Sequence, residues 1–98
     1  MKKSKAASYL GFARRAGKLT LGVNSASFLK GGVYLLAVDE ETQKNSLKEI
    51  EKMQKRFACP LLYFKELGTL VGKEGCRLAA VRDEGLANAI LAAEADSD

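Results

Sequence analysis

The chain contains no histidine, which excludes catalytic dyads and triads built on imidazole. Its two cysteines, Cys59 and Cys76, fall short of the roughly four N or S ligands of a zinc site. They read as two reduced, buried or half-buried thiols, and no disulfide is expected between them in a reducing compartment. No apolar run approaches the roughly 20 residues that span a bilayer. The start is lysine-rich, but neither an apolar stretch nor a small-residue cleavage site follows, so it does not read as a signal peptide. The expected location is the cytoplasm, with no cofactor, metal or membrane partner.

Acidic residues are missing from the whole first part of the chain. Residues 1–38 hold Lys2, Lys3, Lys5, Arg14, Arg15, Lys18 and Lys30 without one carboxylate, a charge of +7, and Asp39 is the first acid. The remainder has nine basic and twelve acidic residues and carries −3. Segregation of this kind suggests a surface that attracts a polyanion; a basic tail kept for solubility is the plainer alternative.

The length of 98 residues suits one small domain with one modest core. No internal repeat, low-complexity segment or linker divides it, so residues 1–98 read as a single unit. Its basic start (1–5) and acidic end (94–98) are expected to fray. Ser4 caps a predicted helix over 4–16, in which Ala6, Tyr9, Leu10, Ala13 and Ala16 form an apolar stripe. Gly17 ends it, and 18–22 is a short strand or an extended connector.

A second short helix should begin near Asn24 or Ser25, both good caps, and stop before Gly31. The run 33-VYLLAV-38 has the pattern of a strand buried on both faces. The longest helix is expected over 42–57, with Leu47, Ile50, Met53, Gln54 and Phe57 inward and an interrupted lysine stripe facing solvent. Pro60 forces an extended start to 61-LLYF-64, a second buried strand. A short helix over 66–72, a strand over 77–82 and a closing helix over 83–93 complete the chain. Helices alternating with buried strands predict an α/β sandwich with helices on both sides of a mixed sheet of about four strands.

The stretch 66-ELGTLVGKEG-75 looks at first like a phosphate-binding loop. Such a loop needs four residues between its glycines and a hydroxyl after the lysine, so that backbone N–H groups encircle the phosphates and the hydroxyl holds magnesium. Here three residues separate Gly68 from Gly72, and Glu74 follows Lys73. A carboxylate there would repel a triphosphate. Leu67, Leu70 and Val71 instead share one edge of a short helix, which Gly72 ends before an exposed loop at 73–76.

The segments 13-ARRAGKLTLGVN-24, 33–38, 66–74 and 79-AAVRDEG-85, taken in that order and spacing, resemble the L-seven-Ae/L-thirty-e ribosomal protein superfamily, in particular its short bacterial members. The resemblance covers about residues 5–92. It implies a three-layer α/β/α fold that binds kink-turn RNA. In that family the start of the second helix enters the groove at tandem sheared G·A pairs. An Asn and a following Glu read the guanines, a Lys farther along supports them, and a second loop packs on the flipped-out nucleotide. By position, the first segment is Gly22, Val23, Asn24 and Ser25, and the second loop is Lys73, Glu74, Gly75, Cys76 and Arg77. This chain departs from the pattern in having Ser25 in place of the Glu and Phe28 in place of the Lys. Lys30 lies on a different turn.

The residues support such a site in their own right. Asn24 offers both a donor and an acceptor to a base edge, and a helix start offers unpaired N–H groups to phosphate. Arg14, Arg15, Lys18 and Lys30 would supply the salt-dependent phosphate term. For Asn24 alone, a helix cap with no RNA role is the alternative. The leading expectation is a non-enzymatic RNA-binding protein of the translation machinery, ribosome-associated, whose partner is structured RNA, either ribosomal or kink-turn. A protein-interaction module on the same fold, with a weakened RNA site, is the second. An enzyme using unpaired carboxylates is the third.

Overall fold

The computed structural model describes residues 5–96; Ser4 and the last part of the acidic end, Ser97 and Asp98, lie outside them. Five helices and four strands follow one another as α1 (Lys5–Arg15), β1 (Leu19–Leu21), α2 (Val23–Ser27), β2 (Leu35–Asp39), α3 (Lys44–Phe57), β3 (Leu61–Phe64), α4 (Leu67–Val71), β4 (Leu78–Val81) and α5 (Glu84–Asp96). The strands form one mixed sheet in the order β1-β4-β2-β3. β4 runs antiparallel to both β1 and β2, and β2 is parallel to β3.

Two apolar clusters, one on each face of the sheet, make this a three-layer α/β/α sandwich. On one face Ala6 and Leu10 of α1, Leu67 and Val71 of α4, and Ala87 and Ile90 of α5 pack on Leu35, Ala37, Ala79 and Val81. On the other, Ala26 of α2 with Ile50 and Met53 of α3 packs on Leu36, Val38, Leu78 and Ala80. Successive residues of β2 and β4 therefore point into different cores. This is why both central strands are fully buried and, save for Asp39 at the end of β2, apolar, as strands covered on both faces must be.

β3 departs from its expected burial. It is an edge strand, only its last residue is buried, and Tyr63 is half exposed. An apolar run of four residues has the same pattern at a covered edge as at the centre of a sheet. The strand expected over 33–38 is also shifted: Val33 and Tyr34 precede β2, which extends instead to Asp39. The closing helix continues to Asp96, farther than expected. Tyr9, placed by its spacing on the inner stripe of α1, is exposed, while Ala7 is buried in its stead.

Gly17, at φ 72°, ends α1. Its N–H donates to the Arg14 carbonyl and that of Lys18 to Ala13, at 3.2 and 2.9 Å, the paired arrangement that closes many helices on a left-handed glycine. Gly72, at φ 75°, ends α4 likewise. Cys59 and Cys76 are both free and buried, and they belong to the two different clusters, so the sheet separates them. Burial pushes the Cys59 thiol up, away from reactivity at neutral pH. Among the described residues, no helix is long and apolar enough to cross a membrane.

Candidate nucleic-acid interface

The turn from β1 into α2 is set by Gly22. Its backbone, at φ 93° and ψ 146°, occupies a region open essentially to glycine alone. Its N–H donates to the Leu78 carbonyl at 2.8 Å and its carbonyl accepts from the Ala26 N–H at 3.0 Å. The glycine thus ties the turn to β4 while opening the helix. Buried Ala26 seats that helix on the sheet.

This geometry corrects the expected start of α2. The cap is Gly22, with no side-chain capping bond, and the helix begins at Val23. Asn24 and Ser25 therefore lie inside the first turn rather than capping it, and both are exposed. The N–H groups of Val23, Asn24 and Ser25 have no intrahelical partner, since the first turn has no preceding carbonyls to bond. The Ser27 hydroxyl donates to the Asn24 carbonyl at 2.6 Å. Arg56 of α3 donates to the carbonyls of Ser27 and Leu29 at 3.0 and 3.3 Å, which holds the far end of this short helix.

Asn24 and Ser25 face an open groove of about 650 Å³. The β1–α2 turn forms one wall, Asn45, Ser46 and Glu49 of α3 form another, and Lys73 closes it. The arrangement offers amide and hydroxyl groups that can pair with base edges, a cation suited to phosphate, and one carboxylate. Glu49 also lies 3.8 Å from Lys52 on the exposed surface of α3.

Only part of the sequence-derived set meets in this groove. Gly22, Val23, Asn24, Ser25 and Lys73 do. Glu74, Gly75, Cys76 and Arg77 line a neighbouring hollow of about 540 Å³. Cys76 is buried, with its thiol donating to the Leu78 carbonyl at 3.1 Å, so its side chain is committed to the core. Arg14 and Arg15 border a third hollow, of about 490 Å³, against Thr69, Leu70, Val71 and Gly72. Lys18 precedes the strand residue that pairs with Val81, whereas Gly22 follows the one that pairs with Ala79; the two stand at opposite ends of β1. Lys30 lies beyond the far end of α2 from Asn24.

The neighbouring hollow is organised by Asp39, which is 3% exposed. Its carboxylate accepts from the Leu67 N–H at 2.9 Å, the Glu41 N–H at 3.0 Å and the Arg77 guanidinium at 2.6 Å. Burial alone would raise its pKa, but the two backbone donors and the Arg77 charge outweigh that, and the carboxyl sits below its ordinary value. Asp39 thereby joins the end of β2 to the start of α4 and to the second loop.

Gly68 brings the loop in against α4. A Cβ at that position would lie 2.7 Å from the Lys73 carbonyl and 3.1 Å from the Gly75 nitrogen.

Sequence reasoning missed Asn45, Ser46 and Glu49, whose polar run at the start of α3 gave no sign of which helix would lie opposite. It also missed the structural part played by Asp39, whose only signal was its place as the first of three acids that follow an apolar run. Phe28, by contrast, was singled out and proves 83% exposed.

No family model matches the chain, and no curated protein matches it. Among solved structures it is similar to a protein with unknown function from Bacillus halodurans, with a TM-score of 0.79 and 22% identity over 96% of this chain and the whole of that one. At that identity the likeness establishes a shared fold.

Proposed function

We propose that this chain is a non-enzymatic RNA-binding protein of the translation machinery, cytoplasmic and ribosome-associated, and a member of the L-seven-Ae/L-thirty-e superfamily. Its ligand is kinked or structured RNA, ribosomal or kink-turn, held in the groove between α2 and α3. One observation carries the reading: Asn24 and Ser25 are exposed on a helical turn that has no side-chain cap, with Lys73 across the same groove.

The acid-free first part of the chain captures the polyanion through long-range attraction. Lys73 then takes a phosphate. Asn24 pairs with a base edge through its donor and acceptor, and Ser25 adds a single hydrogen bond. Glu49 accepts from base amino or imino groups and repels phosphate, which orients the RNA with its bases toward α3. Irregular RNA suits such a groove, because the paired A-form major groove is too deep and narrow to be read by side chains.

Filter binding to a kink-turn RNA, with a plain duplex as control, tests this. Preference for the kink-turn that Asn24→Ala removes supports the reading; equal binding to both RNAs, or an Asn24→Ala variant that behaves as the parent, overturns it.

Phe28 favours a second reading. A phenyl ring 83% exposed at the end of α2 suits a protein partner, in which case the fold is an interaction module whose RNA site is weakened. Partners captured by the chain that persist after RNase treatment, and are lost with Phe28→Ser, would support it.

A further inference from the structure

We propose that the outward face of α1 is a stacking platform for single-stranded RNA, separate from the groove at α2; the proposal rests on the RNA-binding reading and extends it to a second surface. α1 buries Leu10 and the small residues Ala6, Ala7 and Ala13 in the core. Its two aromatic side chains are left outside, Tyr9 being 37% and Phe12 52% exposed. Three residues apart on a helix, these two rings are neighbours, with Cβ atoms roughly 5–6 Å apart.

Exposed Lys5 lies one turn before Tyr9, and exposed Arg15 lies three residues after Phe12. The stripe thus reads cation, ring, ring, cation. It contains no carboxylate, and none occurs before Asp39 anywhere in the chain. Arg15 folds back along the helix, its Nη1 3.6 Å from where a Cβ on Gly11 would stand.

Charge complementarity points to a polyanion, and the paired rings narrow the class. Aromatic side chains stack on unpaired bases irrespective of sequence while flanking cations follow the backbone; in a duplex those base faces are already covered. A membrane surface needs a broad apolar helix face, and Ala6, Ala7, Leu10 and Ala13 of α1 are buried. One end of the platform and the proposed groove adjoin neighbouring residues of the same loop. Arg15 borders the hollow that ends at Gly72, and the next residue, Lys73, lines the groove. An RNA seated there can send its single-stranded extension over Gly72 onto α1.

The test uses the full-length chain and fluorescence anisotropy with three probes: a kink-turn hairpin without overhang, the same hairpin with a short oligouridine tail, and the oligouridine alone. The tail should raise affinity about ten-fold. Combined Tyr9→Ala and Phe12→Ala should abolish that gain and the oligouridine binding while leaving the tail-less hairpin unaffected, whereas Tyr9→Phe should retain both. Asn24→Ala should have the reverse effect, weakening the hairpin but preserving the gain from the tail. Failure of the tail-less hairpin to bind would count against the groove alone, since the oligouridine comparison still decides the platform. A tail without effect, a gain that survives loss of both rings, or Tyr9- and Phe12-dependent binding to phosphatidylserine vesicles in place of oligouridine would overturn the proposal. Tyr9 and Phe12 are each only partly buried, so melting by circular dichroism should show the variants still fully folded at the temperature of the binding assay.

Discussion

Arg77 donates to Asp39 at 2.6 Å and so fastens the second loop to the carboxyl end of β2. One partner is buried and the other half exposed, with side chains 4% and 48% accessible. The pair therefore acts where solvent screening is only partial, and it couples loop geometry to the protonation of a single carboxylate.

Acid should release this fastening. The Asp39 carboxyl sits below its ordinary value in the fold, so its contribution is fully present above the unfolded value of about 3.9. It is lost as pH falls through the still lower folded value. Asp39→Ala leaves the buried Leu67 N–H without its acceptor, a loss of about 1–3 kcal/mol at neutral pH. Urea melts from pH 7 to pH 2 should show both the loss and a shallower acid dependence in the variant. A parent and variant with parallel pH curves would contradict this.

Gly68→Ala should displace the loop without emptying the core. The added methyl meets backbone at 2.7 Å, so the loop must move, at about 1–3 kcal/mol of strain. Lys73 moves with it. RNA affinity should fall together with stability, and amide exchange should quicken over 73–76 while β2 remains protected.

Asn24→Ala should cost about 1–3 kcal/mol in binding to structured RNA and almost nothing in folding. Its side chain makes no capping bond, so no structural penalty accompanies its removal. Binding isotherms beside a thermal melt separate the two. A melting temperature well below that of the parent would mean Asn24 has a structural part that the geometry does not provide.

Lys73→Ala should weaken binding to all RNAs in similar proportion and reduce the slope of log affinity against log salt by about one contact. Affinities measured across a series of potassium concentrations give that slope. An unchanged slope would remove Lys73 from the phosphate contacts and leave the groove without its cation.

The elements were legible in the sequence because their signals are local. Leu61–Phe64 begins after the only proline, Gly17 and Gly72 stop their helices, and the alternation of helices with apolar strands set the α/β class. The start of α2 was misread for a tertiary reason. Asn24 and Ser25 are better caps than glycine by propensity, but the bond from Gly22 to Leu78 sets the cap at Gly22, two residues before Asn24. Tyr9 was misplaced because helical spacing cannot tell which of two adjacent stripes a neighbouring helix covers.

The sequence by itself determined the acid-free first part, the lack of any imidazole, the order of the elements and the glycine stops, all of which follow from residue identity and short-range backbone preference. Tertiary structure alone decided which of them meet. Packing α2 against α3 made a groove from Asn24 and Glu49, residues 25 positions apart. The Asp39–Arg77 pair spans 38 positions. Such contacts depend on strand order and on which face of the sheet each helix covers, and no local preference encodes either.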